Sequence, residues 1–205
     1  KATAQWWVIG ALAALQQRQV TGQGCVIDTS LLDSAASWVD SSLATYHVTG
    51  ELSQRTGAAT PAIVPYQAFE TADRPMVIAA GYDRLFHKLA AVLGQPDWAT
   101  DPRFARGRDR IANRDVLLGL MKPILLTRTC AEWLAAFENV GVPCSPVNTI
   151  AELEQTEQFK ASDLLRVLPG SDLPVVGLPI SFDGQRPRPH SGAPRLGQHN
   201  DELLR

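Results

Sequence analysis

The sequence predicts an α/β protein of two lobes, and three observations carry that prediction. The first is the stretch Gly10 to Ala35, where an apolar helix ends in a glycine turn and leads through a short apolar run into a second helix. The second is Thr49 to Pro65, rich in glycine, threonine and proline and without periodicity, which reads as the boundary between lobes. The third is a pair of short strands followed at once by an amphipathic helix, over Tyr66 to Leu93.

Composition narrows the function classes. The chain has 205 residues, room for one large or two small domains, and 45% hydrophobic residues, enough for a core. A net charge of −2 gives no electrostatic reason to expect nucleic acid or an anionic membrane as partner. No apolar run approaches the roughly 20 residues of a membrane span. Cys25, Cys130 and Cys144 are odd in number and widely spaced, which disfavours a disulfide framework and fits a reducing cytoplasm. The first residue is Lys1, so the chain is expected to be a piece of a longer polypeptide or a processed one.

The elements follow in order. Thr3 to Val20 is expected as a helix capped by Thr3. Trp6, Trp7, Ile9, Leu12 and Leu15 cover more than one of its faces, so it should be buried on most sides. Gly22 and Gly24 offer two positions where positive φ costs little, and Cys25 to Asp28 has strand length. Thr29 or Ser30 should cap a helix running to Val48. Tyr66 to Phe69 and Met76 to Ala80 are the two strands. Tyr82 to Leu93 is the amphipathic helix, with Leu85, Phe86, Leu89 and Val92 on one face and Gly94 as its stop. Trp98 and Phe104 should anchor an irregular segment.

Asn113 is read as the cap of a helix to Leu126, kinked or shortened by Pro123. Thr129 and Glu132 form a capping box for a helix from Cys130 to Asn139, ended by Gly141. Pro143 to Pro146 should be extended, and Ile150 to Glu157 a short acidic helix. Leu164 to Leu168 and Val175 to Leu178 are strand candidates, with Pro179 to Phe182 as a candidate extension of the second. Gln185 to Gly197 reads as an extended arm, and Asn200 to Arg205 as the start of a helix.

Residues that could carry chemistry are few. Asp28 and Asp33 are the tempting carboxylates, but a role in a turn or cap is preferred for each. Arg106, Arg108, Arg110 and Arg114 suggest a phosphate site; Asp109 and Asp115 among them favour a solvated face with local ion pairs. Cys144 has no base nearby in sequence, so a structural thiol is expected. His47, His87, His190 and His199 lack metal-ligand spacing, and no metal site is expected. No GxSxG, P-loop or GxGxxG motif occurs.

The stretch RQVTGQGCVIDTSLLD (18–33) resembles the class III CoA-transferases, the family that includes formyl-CoA transferase, carnitine CoA-transferase and α-methylacyl-CoA racemase. The family usually has TGxGQ where this chain has TGQGC, so Cys25 replaces a glutamine. The resemblance continues in order through PYQAFETAD (65–73), MVIAAGYDRLF (76–86), LGQPDWATDPRF (93–104), RIANRD (110–115), TCAEWLAAFENVGVPCSPV (129–147), LPISF (178–182) and PRLGQHNDELL (194–204). It implies a fold made of part of a Rossmann-like large domain plus a small α/β domain, in an interlocked homodimer. Residues 1–48 would belong to the large domain, 49–65 would be the linker and 66–149 the small domain. Residues 150–205 would return to the large domain.

The family chemistry implied is movement of CoA between an acyl-CoA and a small carboxylic acid, with no permanently bound cofactor. An aspartate attacks the donor thioester, the released thiolate converts the mixed anhydride to an aspartyl-CoA thioester, and the acceptor carboxylate takes over. Counting back from TGQGC places that aspartate immediately before Lys1, so no catalytic residue is assigned within the chain, which alone is expected to be inactive. A glycine-rich loop closes over the intermediates in some family members. Thr56, Gly57, Thr60, Pro61 and Tyr66 fall in that region here, as a substrate-facing wall or as a plain interdomain linker. An acyl-CoA racemase of the same fold and a non-catalytic assembly module are the competing readings.

Overall fold

The computed structural model describes residues 1–204 and divides into two compact units, Lys1–Gly57 and a second from Ala58 onward. Three helices make the first: α1 (Ala2–Thr21), α2 (Leu31–Trp38) and α3 (Asp40–Thr49). Gly22 closes α1 at φ 73°, its N–H donating to the Arg18 carbonyl. Thr3 lies inside α1 rather than capping it; Lys1 holds the cap position without a side-chain bond. The expected burial of α1 does not occur: it has no buried residue, and Trp6 is 48% exposed.

Cys25 to Asp28 is extended but forms no strand. A strand needs a neighbour to complete its hydrogen-bond ladder, and no described strand pairs with it. It packs against α1 at Gly10, where an added Cβ would stand 3.0 Å from the Ile27 side chain. Ser30 caps α2, accepting from the Asp33 N–H at 3.0 Å. The helix expected to run to Val48 breaks at Val39 (φ −112°, ψ 21°). Just before the break the Ser37 hydroxyl donates to the Ser34 carbonyl at 2.8 Å, a local bond that competes with the helix ladder. Asp40 then opens α3 with a carboxylate in its first turn.

The second unit is built on a three-stranded antiparallel sheet of β1 (Tyr66–Phe69), β2 (Met76–Ala79) and β3 (Cys144–Pro146), in the order β1-β2-β3. Its register pairs Phe69 with Met76 and Ile78 with Cys144. Alternation sends Met76 and Ile78 inward. They meet Phe86 and Leu89 of α4 (Asp83–Val92). After a single 3-10 turn at Pro96–Ala99 come α5 (Gly107–Ala112), α6 (Arg114–Leu125) and α7 (Cys130–Val140). These helices bring Leu117, Met121, Leu125, Trp133 and Phe137 into the same core. Trp98 and Phe104 anchor the segment between α4 and α5, edge to face at 6.1 Å. Pro123 does not shorten α6, which runs on to the fully buried Leu125. Asn113 stands at the cap position of α6 but makes no capping bond; its amide donates to the Asp109 carbonyl at 2.9 Å.

The capping box of α7 is present as expected. The acidic helix is two: α8 (Ile150–Gln155), opened by a second capping box of Thr149 and Glu152, and α9 (Glu157–Ser162), capped by Thr156. β4 (Leu165–Val167) and β5 (Pro174–Val176) pair antiparallel. Pro179 to Phe182 does not extend β5 but forms only a bridge from Phe182 to Gln185. The arm from Gln185 to Gly197 is without helix or strand, and α10 (Asn200–Leu203) follows it. The last residue of the expected terminal helix, Arg205, lies outside the described residues.

Candidate functional site

The segment leading into β1 is held by two arginines. Arg110 of α5 is fully buried. Its Nε donates to the Val64 carbonyl at 3.0 Å and its Nη1 to the Phe104 carbonyl at 2.8 Å. Its Nη2 donates to the Gly81 carbonyl and, at 2.7 Å, to Asp83 Oδ1. The guanidinium also lies 4.5 Å over the Phe86 ring. Each nitrogen of this buried guanidinium thereby has an acceptor, as burial of a charge requires. The Arg110 hydrogen bond holds the Asp83 carboxyl below its ordinary range.

Arg114, at the start of α6, donates through Nη2 to the Thr60 carbonyl and to the Pro61 carbonyl, the latter at 3.1 Å. The solvated face expected for this cluster is therefore corrected. Arg108 does pair locally with Asp109, at 3.3 Å, but Arg110 and Arg114 point inward and bind main-chain carbonyls. A helical phase in the sequence carries the missed signal. Arg110, Arg114, Leu117, Met121 and Leu125 recur in the sequence at steps of three or four residues, in phase with buried apolar positions, although Asn113 separates Arg110 in α5 from Arg114 at the start of α6.

Among the predicted substrate residues, Thr60 and Tyr66 are brought together: the Thr60 N–H donates to the Tyr66 carbonyl at 3.3 Å. Pro61 and Tyr66 present exposed side chains, while Val64 between them is buried. Thr56 and Gly57 belong to the first unit, where Gly57 turns the chain at φ 60°. Gly81 has to be glycine, because an added Cβ would fall 1.8 Å from the Ile63 side chain.

The tempting carboxylates Asp28 and Asp33 line a cavity of about 340 Å³ with Trp6, Gly10 and Ser34. Asp33 is engaged there in capping, taking the Ser30 hydroxyl at 2.6 Å. A second cavity of about 620 Å³ is basic, lined by Arg166, Arg186 and Arg188 with Asp163. Two of these arginines are already engaged: Arg166 pairs with Asp163, and Arg186 donates to the Ser162 carbonyl at 2.9 Å. Burial pushes the Cys144 thiol up, away from the thiolate a nucleophile needs. Among the described residues no cluster of three metal-ligating side chains occurs, and no helix is long and apolar enough to cross a membrane.

The chain belongs to CoA-transferase family III, which it matches over residues 1–200. Its relatives include the acetyl-CoA:oxalate CoA-transferase of Acetobacter aceti, 34% identical over 95% of this chain and 50% of that protein. The succinyl-CoA–D-citramalate CoA-transferase of Chloroflexus aurantiacus is 32% identical over 96% of this chain and 50% of its own length. Among solved structures, a CAIB/BAIF family protein from Brucella suis superposes with a TM-score of 0.78 at 32% identity, over 99% of this chain and 53% of that one. The chain spans about half the length of the curated relatives it matches. The mixed α/β architecture agrees with a class III CoA-transferase fold.

Proposed function

We propose that the protein to which this chain belongs is an enzyme that moves CoA between an acyl-CoA and a small carboxylic acid. One observation carries the reading: similarity to proteins named as CoA-transferases runs along 95% of the chain. The acids in those names, oxalate and D-citramalate, are dicarboxylic, so a small dicarboxylic acid is the acceptor class to test first.

The reaction proceeds through an aspartyl-CoA thioester, with the aspartate immediately ahead of Lys1. A carboxylate there would stand at the positive end of α1, the 20-residue helix Ala2–Thr21, whose dipole favours a negative charge and the oxyanions formed from it. Thr56, Gly57, Thr60, Pro61 and Tyr66 face the substrate. Residues 1–48 belong to a large Rossmann-like domain and 66–149 to a small one, joined by the linker 49–65. Residues from 150 onward return to the large domain. The assembly is an interlocked homodimer, as the family resemblance implies. The setting is cytoplasmic.

The complete protein, given a donor acyl-CoA and a dicarboxylic acid without ATP, should form the acceptor's CoA thioester as the donor's is consumed. Exchange of the donor's α-hydrogen with solvent, with no transfer, would instead assign racemase chemistry.

A further inference from the structure

We infer that Arg114, with Arg110 behind it, is the positioning residue for the segment Thr60–Tyr66. The segment is then a fixed wall of the substrate site rather than a hinge that swings. The inference deepens the function proposed above and rests on it for the statement that this segment meets substrate.

The geometry is one-sided. Carbonyls at Thr60, Pro61 and Val64 all turn toward the arginines. The Pro65 carbonyl accepts from the Ala80 N–H at 3.0 Å, which ties the next step of the chain to the end of β2. The close approach of Ile63 to Gly81 fills the space beneath. Pro61, Ala62 and Tyr66 stand exposed on the other side. A backbone gripped through several of its carbonyls keeps its outward groups in place without conformational search, which is what a site orienting two reactants requires.

The two arginines divide the task. Arg110 is sealed in and its charge is met by Asp83, so its removal would disturb the whole core. Arg114 is half-buried and pairs with no carboxylate among the described residues. Its bonds to Thr60 and Pro61 are what it contributes, so it can be changed with little else disturbed. A forked guanidinium reaches two successive carbonyls from one nitrogen, and a lysine ammonium retains donors and charge for the same pair.

The test uses the complete protein with Arg114→Ala and Arg114→Lys. Backbone hydrogen exchange over residues 58–67, the thermal midpoint, and kcat and KM for both substrates are measured. Arg114→Ala should speed exchange across 58–67 and lower kcat by about tenfold to a hundredfold. KM for the acyl-CoA should change little and the thermal midpoint should fall only slightly. Arg114→Lys should restore most of both the protection and the rate. Unchanged exchange in Arg114→Ala would overturn the inference, because the clamp would not exist. Faster exchange with unchanged kcat would overturn it too, by removing the segment from the substrate site while leaving CoA transfer intact. A wild-type protein without transfer activity would defeat the proposed function; the exchange measurement still decides whether Arg114 grips the segment.

Discussion

Trp7 in α1 is 55% exposed, whereas Trp133 in α7 is 1% exposed and stacks on Phe137 at 5.4 Å. Both sit in helices of apolar composition, so helix pattern alone does not decide burial. α7 has a sheet and two further helices to pack on, and the indole Nε1–H of Trp133 donates to the Leu125 carbonyl at 2.8 Å. Among the described residues of the first unit, only Ser34 is buried. Packing against a second layer, rather than propensity, gives most helices their stability. The unit from Ala58 has that layer and a core. The first unit has helices, caps and a glycine-closed turn but no apolar interior among its described residues.

Substitutions sharpen this contrast, beginning with the largest expected effect. Trp133→Ala should destabilise the second unit by about 4 kcal/mol in urea unfolding, through the cavity it leaves and the Leu125 carbonyl it strands. Arg110→Met should cost about 3 kcal/mol, because two buried carbonyls and the part-buried Gly81 carbonyl lose their donor; half-exposed Asp83 recovers hydration and adds little. An Arg110→Met protein as stable as wild type would show that the arginine is tolerated rather than needed.

Acid acts on a smaller scale. Glu152 is held down to about 2 from 4.5, first by the Thr149 N–H, then by the Thr149 hydroxyl and by Arg74. A depressed carboxylate stabilises the fold above its unfolded value, and that contribution is lost as pH falls through the folded one. Stability should therefore decline between pH 4.5 and about 2, and Glu152→Gln should flatten that part of the profile. Smallest of all, Trp7→Ala should change the unfolding free energy of this chain by less than about 0.5 kcal/mol, as a solvated side chain does. A loss of several kcal/mol would mean that α1 is already covered in the chain alone, which would break the contrast.

The elements that can be read locally are legible in the sequence. The hairpin of β1 and β2 shows in two short runs joined by the polar turn Glu70 to Pro75, α4 in its amphipathic face, and α7 in Thr129, Glu132 and Gly141. Elements defined by distant partners are not. Cys25 to Asp28 has strand composition but no described strand to pair with, and Val39 interrupts what looks like a continuous helix. The site follows the same rule. Thr60 and Tyr66 are proposed as site residues from the resemblance alone, and the grip of Arg110 and Arg114 on their segment was hidden because interleaved aspartates made those arginines look solvated. Only the helical phase through Leu117 and Met121 gives them away.

The central claim is that this chain scaffolds a CoA-transfer site whose reactive carboxylate stands ahead of α1. Peptide mapping by mass spectrometry of the complete protein, quenched during turnover of an acyl-CoA, tests it most directly. The account predicts a CoA thioester on the aspartate proposed immediately before Lys1 and none on Asp28 or Asp33. CoA on either of those two residues, or turnover with no CoA on any carboxylate, would contradict it.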